Sequence, residues 1–432
     1  MSGNEKKTNP VKLSAIQLNK INNKVFLWLL IFSIVIQLIR FFYNALFPQV
    51  SAWSAQQMTM SYKYGFIRRG LLGTLAHLIH DCFHVEFITA VGIVQSLGVI
   101  LFTVSFLIFL WKLLENNLEK SFCFITLVLI SLNIWGFNFY AYGLFETYII
   151  FLTFVMVYLV LSDKALFLIP VLAGICELIH EGYPSMCFGI IAALLIYRFC
   201  YSSDKKSRIK YAVVFLLTGI VIGSLFIYFY FIHPRIDNPD IEAILANCRE
   251  LLKVDYSYPI DISNIRFIWL DDKVDPYSWH GLINMWIDGH PTKWFYALML
   301  AVIVNSVVLS PLIVLTARFW IRIIKNEPNK GRKALLLLCS LMVFLTIPLM
   351  FFHVDQARWF CAMVIYEVIV IGAIFLLNAN NERAVLSEIT KITLPKVILL
   401  TFYFVYYWNV ELFFISGYLK PIFSRIMDLP LL

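Results

Sequence analysis

Charge is scarce in this 432-residue chain, where only 14% of residues are Asp, Glu, Lys or Arg, against about a quarter in soluble globular domains. With 60% hydrophobic residues and a mean hydropathy of +0.78, that shortage excludes an ordinary water-soluble enzyme and predicts an all-α polytopic membrane protein. The first 24 residues lack a small-residue cleavage site ahead of the first apolar run. They therefore read as a retained cytosolic tail, with five lysines against one glutamate, and not as a removed signal peptide. No CxxC pair, heptad array, low-complexity segment or internal repeat is present, and the missing repeat speaks against a transporter built from two related halves. Of eight cysteines, only Cys82 and Cys248 fall outside the apolar runs on the expected outer side. One disulfide between them could form in an oxidising compartment.

What the chain has in quantity is apolar runs of about 20 residues, the length that crosses a hydrocarbon core of roughly 30 Å. Eleven are read, at 25–47, 86–112, 120–138, 144–162, 165–181, 184–200, 211–232, 293–317, 334–352, 359–378 and 397–416. From an inside N-terminus, the basic clusters at 112–120, 164, 198–210, 318–333 and 383–396 all land on the cytosolic side, as topogenic charge bias requires. The net charge of +8 is thereby accounted for without a nucleic-acid partner. Residues 25–432 form a single transmembrane domain on this reading, with a first outer loop at 48–85 and a large outer loop at 233–292. All eight histidines (77, 80, 84, 180, 233, 280, 290 and 353) lie on or beside that outer side.

Four groups of residues on the outer side could carry chemistry. In YGFIRRGLLG, Arg68 and Arg69 sit in an apolar setting where each arginine costs roughly 2.5–3.5 kcal/mol on insertion scales. Their planar donor forks match phosphate oxygens, although snorkelling to headgroups would also place an arginine there. At the tip of the hairpin 165–200, Glu177, His180 and Glu181 share one helical face. Desolvation and a neighbouring arginine act on a carboxyl there in opposite directions, so a base tuned near neutrality is feasible, and a buried ion pair is the competing reading. Asp355 and Arg358, beside His353, lie at i and i+3 in a very short outer turn. Glu146 adds a further polar edge with Asn138 and Tyr142.

Two other features admit a functional and a plainer reading. His77, His80, Asp81 and His84 project from one face of GLLGTLAHLIHDCFH, which suits either a metal site or, the favoured reading, an amphipathic helix lying in the membrane interface. Loop 233–292 holds DIEAILANCRELLKV, of helical periodicity, and then Trp269, Tyr277, Trp279, His280, Trp286 and Trp294 at its far end. These aromatics read as an interfacial belt or as a wall on which sugars stack. Neither a metal nor an organic cofactor is expected.

The combination of RRGLLG after the first apolar run, a His-Glu hairpin tip and a late D-x-x-RW resembles bacterial surface-polysaccharide membrane proteins, and most closely the O-antigen polymerase (Wzy) family. The resemblance rests on overall architecture and about 25 residues. It implies a GT-C-like helical fold in the bacterial inner membrane with its active site facing the periplasm. The implied activity is polymerisation of oligosaccharide repeat units carried on undecaprenyl pyrophosphate, with membrane lipids and a chain-length regulator protein as partners. Under it, an inverting, metal-independent glycosyl transfer is expected. Arg68, Arg69 and Arg358 would hold the pyrophosphate, His180 or Glu181 would take the acceptor proton, and Asp355 would orient Arg358. Glu177, Glu146, His353, Trp279 and His280 would line the substrate site. A glycosyltransferase using polyprenyl-phosphate sugars to modify a surface glycan is also similar in type. That class carries an acidic motif in its first outer loop, whereas residues 48–80 here hold no Asp or Glu. A lipid-linked-glycan flippase and an acyltransferase acting on the same glycan are further alternatives.

Overall fold

The structure, a computed structural model, describes residues 50, 52–115, 145–229, 241–252, 303, 306, 310–348 and 356–377. Its regular elements are all helical: α1 (Ala52–Met58), α2 (Gly70–Phe83), α3 (Phe87–Glu115), α4 (Glu146–Ser162), α5 (Leu168–Ile179), α6 (Tyr183–Met186), α7 (Phe188–Tyr201), α8 (Lys205–Ile227), α9 (Ile241–Leu252), α10 (Ser310–Asn326), α11 (Lys330–Leu341) and α12 (Gln356–Leu376). Short 3-10 turns occupy Tyr62–Tyr64 and Met342–Thr346. Helix starts follow local chemistry. Asp204 accepts from the Ser207 amide at 2.7 Å and Asn329 from the Arg332 amide at 3.1 Å, each satisfying an orphan donor of the first turn. Pro184 sits in the opening turn of α6, where its missing N–H costs nothing.

Among the described residues two helices, Phe87–Leu113 and Lys205–Ile227, are long and apolar enough to cross a membrane. The expected runs at 144–162, 165–181 and 184–200 form shorter apolar helices, and the last two break around the tip at 180–187. A 12-residue α5 reaches only about 18 Å along its axis. The runs at 25–47, 120–138 and 397–416 lie outside the described residues, as does most of 293–317.

Helix α7 is the centre of the body. Every residue from Gly189 to Tyr197 is buried, and α4, α8, α11 and α12 pack around it. Gly189 makes this possible on the α11 side, since a Cβ there would lie 2.4 Å from the Met342 carbonyl oxygen. Antiparallel packing of α4, α5 and α7 creates two poles. At one, Arg198 donates to the Val160 and Leu161 carbonyls at 2.8–3.2 Å and so caps the end of α4. Lys210 and Tyr211 both bond Asp163, at 2.6 and 2.7 Å. Partial burial pushes the Asp163 pKa up, but Lys210, Tyr211 and Arg198 together outweigh it and hold the carboxyl below its ordinary value. Arg332 stacks over Tyr201 at the same pole. The other pole gathers the start of α4, the end of α5 and the chain ahead of α2.

Helix α2 is drawn against the segment that follows α1 at Gly73, where a Cβ would fall 1.7 Å from the Met60 carbonyl oxygen. No side chain fits there, because the obstacle is backbone. Gly73→Ala is therefore expected to cost about 3 kcal/mol, the upper end of overpacking penalties. Gly219→Ala, which meets nothing within 4 Å, should be neutral or slightly stabilising. Thermal unfolding of the two purified variants checks the contrast.

Candidate anion site at the Arg68–Arg69 pole

The site begins with a backbone irregularity. Gly65 takes a positive φ of 106°, Ile67 behind it is wholly buried, and Arg69 then adopts a left-handed φ of 58° as the residue that opens α2. For a non-glycine residue this conformation costs about 1–2 kcal/mol, and such strain persists only where surroundings over-determine it. What holds it is visible at the guanidinium. Arg69 Nε donates to Glu181 Oε1 and Oε2 at 3.1 and 2.8 Å, and Nη2 donates to Oε1 at 2.6 Å. Arg68 Nη1 lies 3.6 Å from the same Oε1. All three side chains are about 3% exposed.

Glu181 reaches the arginines because α5 stops abruptly. His180 turns extended, at φ −157°, while its amide still donates to the Cys176 carbonyl at 2.9 Å. The Gly182 amide donates to His180 Nδ1 at 2.9 Å. That bond fixes the ring: Nδ1 carries the lone pair and the neutral imidazole carries its proton on Nε2. Nδ1 also lies 3.7 Å from Glu181 Oε2, and the ring packs edge-on against Phe145, the residue before α4. Glu146 follows immediately as the first residue of α4.

One turn before Glu181, Glu177 is 0% exposed, and neither of its carboxylate oxygens has a hydrogen-bond partner among the described residues. Gln95 on α3 is alike, 5% exposed with both amide atoms unpartnered. Buried polar groups are nearly always satisfied in native proteins, so each of these two marks a position at which a further polar group would be accommodated. Helix α9 packs against α1 and α3 beside this pole. Cys248 Sγ on α9 sits 3.0 Å from Thr59 Oγ1, and the Asn247 amide bonds the Tyr64 hydroxyl.

Several expectations can now be placed. Arg68, Arg69, His180 and Glu181 converge, with Glu177 and Glu146 on the adjoining helices. His353, Asp355, Trp279 and His280 lie outside the described residues, and so does the side chain of Arg358, whose backbone belongs to α12. Cys82 and Cys248 do not pair: Cys82 is exposed and free, while Cys248 is buried against Thr59. His77, His80, Asp81 and His84 do not present one common face to water. His77 is buried, donates from Nε2 to the Thr59 carbonyl at 2.9 Å, and has its pKa lowered chiefly by that burial. His80 donates from Nδ1 to the Val85 carbonyl at 2.5 Å, while Asp81 and His84 are exposed. Among the described residues no His, Cys, Asp and Glu are grouped as a metal site.

Two buried polar residues were missed by the sequence reading. Gln95 carries no charge to attract notice. Glu367 accepts from the Trp320 indole at 2.8 Å between α12 and α10. It is the sole charged residue in the run 359–378, which was a usable signal. No family model matches the chain, and no curated protein or solved structure matches it.

Burying two guanidiniums around one carboxylate has a clear energetic consequence. Removing the carboxylate with Glu181→Leu leaves uncompensated charge and should destabilise by about 3–5 kcal/mol, whereas replacing it together with its bidentate partner, Arg69→Met with Glu181→Leu, should recover the part of that loss that Arg69 causes, Arg68 staying buried. A double-mutant cycle of thermal unfolding measures the coupling, and additive single effects would show that the pair is not formed.

Proposed function

We propose that this chain is a polytopic membrane protein of about eleven spans, with its N-terminus cytosolic. In this reading it polymerises oligosaccharide repeat units carried on undecaprenyl pyrophosphate at the periplasmic face of a bacterial inner membrane. The observation that carries the reading is the buried Arg68–Arg69–Glu181 cluster at the pole opposite the basic loop ends. Two adjacent guanidiniums in a water-poor setting suit a pyrophosphate, which offers several oxygens to planar donor forks. The topology is supported by Arg198, Lys210 and Arg332 gathering at one pole and by the exposed apolar stripes along α3 and α8, such as Ile93, Leu97, Ile100 and Val104, which suit contact with lipid. A buried ion pair is weak evidence for stability, because well-packed apolar residues often do as well. Function is the better reason to keep two arginines there.

In the proposed reaction, the acceptor sugar oxygen attacks the anomeric carbon of the donor as the bond to pyrophosphate breaks. The guanidiniums stabilise the charge that develops on the leaving oxygen. His180, protonated on Nε2 in the observed hydrogen-bonding pattern, is a hydrogen-bond donor to substrate oxygens and not a base. The apolar walls around the site keep out water that would compete with the acceptor, and α9 begins the cover over the growing glycan.

Deleting the gene in its native host should reduce the surface polysaccharide to a single repeat unit on a gel. Loss of a side branch would indicate a modifying glycosyltransferase instead. Complementation with Arg68→Lys, which keeps the charge and loses the planar fork, should give at least tenfold less polymer. A full-length ladder at the normal rate would refute the role assigned to the fork.

A further inference from the structure

The fork on Arg69 is already filled. Glu181 supplies the two oxygens that a phosphate would otherwise place there, with three donor contacts of 2.6–3.1 Å and Arg68 close by. A phosphate group and this carboxylate present the same chemistry to the same donors, so both cannot hold Arg69 bidentately at once. We infer that Glu181 is a resident anion displaced from Arg69 by the donor pyrophosphate, and that its displacement turns it into the group that accepts the acceptor proton. This rests on the proposed pyrophosphate chemistry and deepens it.

The groups that face Glu181 decide what displacement does: Arg68 and Arg69 come from the chain ahead of α2, His180 precedes it in the turn, and Glu177 stands one turn back on α5. While paired, the carboxylate has two cations within 4 Å and is a poor base. Once the pyrophosphate takes the guanidiniums, Glu181 is left buried without its cations and beside an added anion, and both conditions favour binding a proton. The acceptor hydroxyl then loses its proton to Glu181, its oxygen forms the new bond to the anomeric carbon, and the old carbon–oxygen bond breaks with its electron pair on the pyrophosphate. Charge and atoms balance with no further reactant. The base is thus switched on only when the donor is seated, which prevents activation of water in an empty site.

Glu177 is not part of the exchange: it lies one turn from the Arg69 fork, with both oxygens unpartnered among the described residues, so donor binding displaces none of its contacts.

The test uses the full-length protein in nanodiscs and farnesyl pyrophosphate as the probe, with affinity and proton uptake read by titration calorimetry in two buffers of different ionisation enthalpy. With no acceptor present the displaced carboxylate takes from solvent the proton that the acceptor hydroxyl supplies in the reaction, so wild type should take up close to one proton on binding near neutral pH. Glu181→Gln removes the competing anion, so it should bind the probe at least tenfold more tightly, take up no proton and yet fail to polymerise. Should that variant not fold, the wild-type proton uptake decides alone, and uptake near zero overturns the exchange. Wild-type binding with an equal or weaker affinity in Glu181→Gln overturns the exchange while leaving the pyrophosphate reading intact. Absence of wild-type binding overturns both.

Discussion

The Arg69–Glu181 fork is the interaction on which one pole of the molecule depends. It joins residues 112 positions apart, linking the chain ahead of α2 to the tip between α5 and α6. Each participant is in an expensive state: Arg69 is left-handed and buried, Arg68 is buried beside it, and Glu181 is buried in a turn. None of these is sustainable alone in an apolar body. Together they compensate one another, and they fix where the first loop and the hairpin tip meet. Gly73 and the bond from the Tyr62 amide to Thr74 Oγ1 hold the approach from the α2 side, while the His180–Gly182 contact holds it from the α5 side.

The opposite pole is built differently. Its charges cap helix ends or pair in the open, as Arg198 does on the carbonyls of α4 and Lys210 does on a well-exposed Asp163. Such contacts order the surface cheaply and do not demand a ligand. The contrast between solvated cations at one end and desolvated ones at the other is what gives the molecule a direction. Helix α7, buried along almost its whole length, keeps the two ends apart.

Much of this was legible in the sequence, and the reasons are physical. Charge scarcity and long apolar runs announced an all-helical body, because backbone in an apolar environment must satisfy itself. The convergence of Arg68, Arg69, His180 and Glu181 was an expectation drawn from the alternation of apolar runs, and the four side chains do meet. The amphipathic segment after 240 was plain from its periodicity and forms α9. Helix length was legible in part: Pro184 after His180-Glu181-Gly182 marked two short helices meeting at a turn, as α5 and α7 do, but hydropathy did not set the length of either. Nor could residue spacing reveal that Glu181 sits in the Arg69 fork, that Gly182 fixes the His180 tautomer, or that Thr59 occupies both Cys248 and His77. Those depend on rotamers and on chain crossings that one-dimensional patterns do not encode. Gln95 shows the same limit for a neutral side chain, whose burial costs nothing in a charge count.

The central claim is that the arginine–glutamate cluster and the basic loop ends face opposite sides of one membrane. Side-specific labelling with a membrane-impermeant maleimide tests it most directly, using Phe66→Cys beside Arg68 and Ser203→Cys beside Asp204, both exposed, with the exposed Cys82 replaced by Ser. The account predicts that the cysteine at 66 reacts from the periplasmic side only and the one at 203 from the cytosolic side only. Labelling of both from the same side would contradict it.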